Sequence, residues 1–203
     1  MRWPRIAFLS ILALLAVGFL NYTLPDRDIV RVTGTEIFRT DLSGWNRIFY
    51  ASSESGSAST DIRDVRLINT TRPGDDAVVS VYRNEDTGLG WPPYFKFASQ
   101  DLQAEALDLV STSDDPQWVV VTHYGWRSNF FSAYPNAIAI RPIDDPETRL
   151  FPWMNVLILL GIGLALLAIW RLWERFEDYV IEPIVDRVAV RWAKTRDWMA
   201  GRR

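Results

Sequence analysis

From Met154 to Ile169 the chain carries no charged side chain; Pro152 and Trp153 open this run and Trp170-Arg171-Leu172-Trp173 closes it. A bilayer hydrocarbon core of about 30 Å takes about 20 helical residues to cross. Tryptophan at both ends, with an arginine at one, is the pattern of amphipathic rings and snorkelling cations at headgroup level. Residues 152–170 therefore read as a transmembrane helix. Gly161 and Gly163 within it lack the GxxxG spacing of a dimerisation face and read as ordinary membrane-helix glycines.

A second apolar block runs from Ile6 to Leu20, broken only by Ser10, and continues through Asn21-Tyr22-Thr23-Leu24 to Pro25 and Asp26. It predicts another span over residues 6–24. A cleaved signal peptide is the competing reading, with Arg2 and Arg5 as its basic start and Ala16-Val17-Gly18 as a small-x-small site. Apolar character past that site, at Phe19 and Leu20, and an interfacial Tyr22 favour the anchor.

Basic residues flanking membrane helices are retained in the cytoplasm. Arg2 and Arg5 before the first block, and Arg171 and Arg175 after the second, place residues 1–5 and the tail 171–203 inside, with residues 25–151 outside. This describes a bacterial inner-membrane protein with a periplasmic domain. The mean hydropathy of −0.04 conceals the partition. Residues 25–151 hold 12 basic and 19 acidic side chains, a net −7, and that balance opposes phosphate contacts and excludes nucleic acid as a partner.

The chain has no cysteine and one histidine, His123. Disulfides, thiolate metal sites and cysteine nucleophiles are thereby excluded. The pairs Asp75-Asp76, Asp114-Asp115 and Asp144-Asp145 lie in turns beside Pro or Gly without the staggered spacing of a calcium loop. No phosphate-cradling glycine loop, GxSxG elbow or HExxH pair occurs. No metal and no cofactor is expected.

Between the apolar blocks the pattern is of short strands. Asp28 to Arg39 reads as a strand with a bulge or bend at Gly34. Ala51 to Thr60 is small, polar and serine-rich and reads as a loop. Asp64 to Thr70 alternates Val65, Leu67 and Asn69 against Arg66 and Ile68, and pairs through the Arg72-Pro73-Gly74-Asp75 turn with Val78 to Tyr82 as a hairpin. Gln117 to Tyr124, almost continuously apolar, reads as a central strand, and Asn136 to Ile143 as the last one. Ser99 to Ser111 puts Leu102, Ala106, Leu109 and Val110 on one helical face, with Ser99 as N-cap. The expected fold is a small β-rich α+β domain of OB type, a five-stranded barrel with one helix between the third and fourth strands. An open α+β sheet is the alternative.

Two clusters are candidate binding sites. One is the run from Asn84 to Phe97, in which Trp91-Pro92-Pro93-Tyr94 is a stiff aromatic patch and Lys96 adds a charge; stiff rings give apolar area at little entropic cost, which suits recognition of a sugar, peptide or protein. The plainer account has Trp91, Tyr94 and Phe95 plugging the barrel end. The other is His123-Tyr124-Gly125-Trp126-Arg127, where Gly125 suggests close backbone approach and Trp126-Arg127 offers cation–π or carboxylate contacts. As a general acid or base His123 would need an orienting carboxylate, for which Glu85 or Asp86 is the candidate; a hydrogen-bonded structural histidine is the plainer account.

After the second apolar run, Trp173, Phe176, Val180, Ile184, Val188 and Trp192 recur at three- and four-residue spacing. They predict an amphipathic tail helix, kinked or restarted near Pro183, lying on the inner leaflet or on a partner subunit.

The segments Asp28-Ile29-Val30-Arg31-Val32-Thr33-Gly34-Thr35-Glu36, Trp45-Asn46-Arg47, Tyr82-Arg83-Asn84-Glu85-Asp86-Thr87, Trp91-Pro92-Pro93-Tyr94-Phe95-Lys96-Phe97 and His123-Tyr124-Gly125-Trp126-Arg127 resemble an uncharacterised family of proteobacterial two-span membrane proteins. The resemblance covers most of the chain, implies the same two-span plan and brings no catalytic residue. The expected function is a non-catalytic, membrane-anchored periplasmic binding or scaffolding protein, an accessory component of a larger membrane assembly, whose partners are the lipid bilayer and other membrane or periplasmic proteins. The alternative is an envelope hydrolase or transferase using His123 with a loop carboxylate.

Overall fold

The computed structural model describes residues 3–41, 62–74, 78–128, 130, 132–199 and 201. The chain divides into two compact units, Met1–Pro152 and Trp153–Arg203. The serine-rich segment 51–60, Trp45-Asn46-Arg47 and the Asp75-Asp76 pair lie outside the described residues.

The first unit starts with α1 (Trp3–Thr23), which is apolar on every side and exposed from Trp3 to Val17, burying only Thr23. A helix without a polar face does not fold onto a core in water; its 21 residues and high hydropathy make it long and apolar enough to cross a membrane.

Five strands follow: β1 (Asp26–Asp41), β2 (Ile62–Thr71), β3 (Val79–Arg83), β4 (Trp118–Tyr124) and β5 (Asn136–Ile143), with α2 (Ser99–Asp108) between β3 and β4. They close into a barrel in the order β1-β2-β3-β5-β4. Every neighbouring pair is antiparallel except β3 and β5, which meet in parallel at Arg83 and Asn136. The open-sheet alternative is replaced by full closure, which removes the exposed edges a five-stranded sheet would otherwise present.

Closure depends on β1 serving two neighbours. Asp26–Arg31 pairs with β4, and Arg31–Asp41 pairs with β2. The changeover coincides with a register shift between Val32 and Gly34, so Thr33 is the extra residue of a bulge, and its hydroxyl donates to the Asn69 carbonyl at 3.1 Å. A bulge bends and twists a strand, and here it turns β1 around the barrel where Gly34 leads one to expect it.

The interior is a cluster of Val30, Val32, Ile68, Tyr82, Val119, Val121, Ala137 and Ile140, closed by Leu102 and Ala106 of α2 and by Leu109 directly after it. Two details of the helix differ from expectation. Ala98, not Ser99, occupies the N-cap, and no side chain of the cap residue bonds the first turn. Asp86 does that work from outside the helix: its Oδ1 accepts the Ser99 backbone N–H at 2.8 Å and its Oδ2 the Ser99 hydroxyl at 3.1 Å. A carboxylate is a strong acceptor at the positive end of a helix. Val110 leaves the helical face too, and bridges to Val32 after α2 has ended.

The second unit is α3 (Trp153–Phe176), a π-helical turn (Glu177–Ile181) and α4 (Glu182–Met199). None of the residues of α3 is buried, and its apolar stretch is likewise long enough to cross a membrane. Pro183 has no amide hydrogen and its ring collides with the carbonyl four residues earlier, in an α-helix. The widened turn directly before it absorbs that conflict, so the helix deforms at the expected place without stopping.

Ile68 is fully buried while Ile37 is 68% exposed. Ile68→Ala should lower the unfolding free energy of the detergent-solubilised chain by about 2–5 kcal/mol. Ile37→Ala should change it by less than about 0.5 kcal/mol. Denaturant titration followed by tryptophan fluorescence measures both.

Candidate functional site

The last carbonyls of a helix have no partner within it and must find donors elsewhere. At the end of α1 the barrel supplies them. The Gly125 N–H donates to the Tyr22 carbonyl at 3.0 Å, and the Tyr94 hydroxyl donates to the Thr23 carbonyl. The Thr23 hydroxyl turns back to the Phe19 carbonyl at 2.9 Å. Gly125 has φ +91°, and a Cβ placed there would meet the Tyr22 ring at 3.5 Å. That distance is ordinary contact, so it is the positive φ, rarely adopted by residues with a side chain, that favours glycine here.

Aromatic rings surround the same turn. Tyr22 meets Tyr124 and Trp126 edge-on, with centroids 6.3 and 5.3 Å apart, and Tyr94 stacks on Tyr124 at 5.1 Å. Trp91 stacks on Phe19 at 5.4 Å, and the Trp126 indole N–H donates to Asn21 Oδ1 at 2.8 Å. Each such ring pair contributes about 0.5–1.5 kcal/mol beyond its buried area, and each hydrogen bond about 0.5–1.5 kcal/mol.

The loop that presents Trp91 and Tyr94 is clasped at its base. The Thr87 and Gly88 amides both donate to the Lys96 carbonyl at 3.1 Å, and the Lys96 amide returns to the Thr87 hydroxyl at 3.1 Å. The Trp91–Pro92 peptide is cis, and Phe95 holds φ at 51°. A bulky residue in the left-handed region is strained by about 1–3 kcal/mol. Tyr94 and Lys96 turn inward while Phe95 turns out.

Beneath the collar lies a buried polar network. The Arg83 guanidinium donates to Glu85 Oε2 at 2.8 Å, with both side chains almost fully buried. Asn136 accepts the Glu85 amide at 2.9 Å and donates to the Glu85 carbonyl and the Tyr124 hydroxyl, both at 3.1 Å. Asn84 donates to the Ser99 carbonyl and to Gln103, each at 2.7 Å. Lys96 Nζ donates to Asn84 Oδ1 and, at 2.7 Å, to the Ala137 carbonyl. The network joins β3, the clasped loop, α2 and β5, and places its hydrogen bonds where water is excluded.

A second polar cluster occupies the barrel wall. Asp28 points inward in phase with Val30 and Val32, and its Oδ2 takes the Tyr82 hydroxyl at 2.6 Å, Arg72 Nη2 at 2.9 Å and His123 Nε2 at 3.1 Å. Burial raises the carboxyl, but hydrogen bonds from His123 and Tyr82 and the Arg72 charge outweigh it and hold it well below the usual carboxylate range. A depressed folded value stabilises the fold above the ordinary carboxylate range and is lost as pH falls through it.

The structure thus draws Trp91, Tyr94, Tyr124 and Trp126 together around residues 19–23 of α1. Lys96 belongs to the buried network and His123 to the Asp28 cluster. Arg127 turns away, lying 4.1 Å over the Tyr134 ring and donating to the Ala133 carbonyl at 3.0 Å. The carboxylate beside His123 is Asp28; Glu85 is taken by Arg83 and Asp86 by the start of α2. Sequence reading passed over Asp28, Tyr82 and Arg72, although an acid in phase with the valines of β1 is a visible anomaly. At the other end of the barrel Ser111, Asp115, Gln117, Trp118 and Asp144 border an open polar recess of about 700 Å³.

By architecture this is a closed five-stranded barrel with the last turn of an apolar helix seated at one end. The chain belongs to the family described as "Protein of unknown function (DUF1523)", whose pattern matches residues 1–177. The match takes in α1, every strand, α2 and α3. The chain is also 40% identical over 161 residues to a protein of Haemophilus influenzae (strain ATCC 51907 / DSM 11121 / KW20 / Rd) described as an uncharacterized protein, covering 76% of this chain and 86% of the relative. No solved structure matches it.

Burial lowers Lys96 to about 8, against the opposing pull of the Asp86 and Glu85 carboxylates. Above that pH the unfolded chain binds more protons than the folded one, so stability rises with pH. Burial raises Tyr82, Tyr94 and Tyr124, which reverses the trend once unfolded tyrosines ionise near pH ~10. The thermal midpoint of the parent chain should therefore gain on that of Lys96→Met between about pH 8 and about pH 9.5. Parallel pH profiles would contradict the burial of an ammonium at this position.

Proposed function

We propose that the chain is a non-catalytic scaffolding or binding protein of the bacterial inner membrane. On this reading α1 and α3 each cross the bilayer, both termini lie in the cytoplasm, and the OB-type barrel stands in the periplasm as an accessory part of a larger membrane assembly. The observation that carries the proposal is the joint between α1 and the barrel. A leader segment removed after export needs no fitted seat, whereas here the barrel's aromatic residues, the Gly125 amide and the Tyr94 hydroxyl are committed to the helix end. The Trp126 ring also stands 4.0 Å from where a Cβ on Gly18 would lie, at the position where a small-x-small cleavage site would fall. The basic residues beside both apolar helices and the net −7 of residues 25–151 support the same orientation.

The contact between His123 and Asp28 is the one observation that favours hydrolase or transferase chemistry. Against it, Asp28 Oδ2 is shared with Tyr82 and Arg72, and His123 Nδ1 is buried without a hydrogen-bond partner among the described residues. A general base needs its free nitrogen within reach of a nucleophile or substrate. The cluster serves better as a polar tie between β1, β3 and β4.

Because the chain has no cysteine, single substitutions report topology cleanly. Asp115→Cys should react with a membrane-impermeant maleimide in intact spheroplasts, and Thr195→Cys only after lysis. Mild-detergent purification of the tagged chain should yield a defined, stoichiometric complex with another envelope protein. Labelling of Thr195→Cys in intact cells would overturn the topology, and a monodisperse chain alone would overturn the accessory role.

A further inference from the structure

We propose that the outer side of the Thr87–Phe97 loop is seated in the periplasmic leaflet of the bilayer, giving the barrel a second lipid contact beside α1. The inference rests on α1 being a membrane span. It starts from the way this loop sorts its side chains. Tyr94 and Lys96 turn inward, to the helix end and the buried network. Leu89, Trp91, Phe95 and Phe97 turn outward, and Leu89 is 83% exposed. Lys96, the loop's one charged side chain, is the one withdrawn from the surface.

A water-facing loop with that distribution is inside out. Exposed apolar side chains concentrated in one loop mark an interaction face, and Phe95, in the left-handed region, presents its ring outward. The occupant follows from continuity with α1. Trp91 lies flat on Phe19, which precedes the helix end at Thr23 by four residues, a drop of about 6 Å along the axis. The loop therefore reaches below the barrel rim, along the flank of a helix whose own side chains from Trp3 to Val17 are exposed and apolar. Lipid that surrounds this part of α1 surrounds Trp91 also. Aromatic and leucine side chains entering about 5–10 Å into the headgroup and acyl boundary are the usual composition of such a contact.

Two lipid contacts fix tilt as well as height. The end of the barrel carrying Asp26 and His123 is then held against the membrane, and the end carrying Arg31 and Trp118, with its recess between Asp115 and Asp144, is turned to the periplasm.

The test uses the full-length chain in vesicles of phosphatidylethanolamine and phosphatidylglycerol. Leu89→Cys, Phe97→Cys, Leu12→Cys and Asp115→Cys each carry one environment-sensitive fluorophore; all four positions are exposed in the fold. The labels at Leu89, Phe97 and Leu12 should be quenched by spin-labelled lipid and be about threefold or more less accessible to iodide than the label at Asp115. If Leu12 lies in lipid while Leu89 and Phe97 are as open to iodide as Asp115, the loop seat is overturned and the span stands. If Leu12 itself is open to iodide, both are overturned.

Discussion

The end of α1 sets the terms for the rest of this molecule. A helix that is apolar on every side still ends in carbonyl groups that require donors, and a flexible linker would leave that task to water. Here Gly125 and Tyr94 complete the helix end, and Tyr22 is enclosed by Tyr124 and Trp126. Helix and barrel therefore share one structural unit. In the proposed setting this matters twice, because a backbone group left unpaired near the hydrocarbon boundary costs more than one in water.

The buried charges make sense as reinforcement of that joint. Tyr124 belongs to the aromatic collar and also bonds Asn136, which in turn holds the backbone of Glu85. Lys96 draws the base of the aromatic loop onto β5, and Asp86, just past the end of β3, holds the start of α2. Buried ion pairs contribute little net stability against well-packed apolar residues, and their best-attested use is to specify one arrangement. The Arg83–Glu85 pair and the Lys96 contacts do this here, since a shifted loop would strand several charges at once. The Asp28 cluster acts likewise one layer into the barrel, tying β1, β3 and β4 through a single carboxylate oxygen.

Periodicity and turn chemistry were enough to read the order of strands and helix, the bulge near Gly34 and the deformation before Pro183, because each follows from residues close in sequence. The aromatic candidates were legible as a group, but their direction was not. Trp91, Tyr94 and Trp126 look the same in sequence whether they meet a ligand or the chain's own first helix, and the contacts that decide it join residues about 70 to 105 positions apart. For the same reason Asp86, read as a partner for His123, caps α2, and Asp28 replaces it. Ser99 resembles an N-cap locally, yet a carboxylate thirteen residues earlier takes that role. Long-range pairing of polar groups leaves no period in the sequence.

Rigid seating of the barrel on α1 is the claim from which the proposed anchoring and orientation both follow. Pulsed electron–electron resonance between spin labels at Ala13→Cys on α1 and Ala139→Cys on β5, both exposed positions, tests it most directly in the full-length chain in lipid. The account predicts one narrow distance distribution that broadens when Tyr94→Phe and Trp126→Ala are combined. A broad distribution in the otherwise unchanged chain, or a narrow one indifferent to those two substitutions, would contradict it.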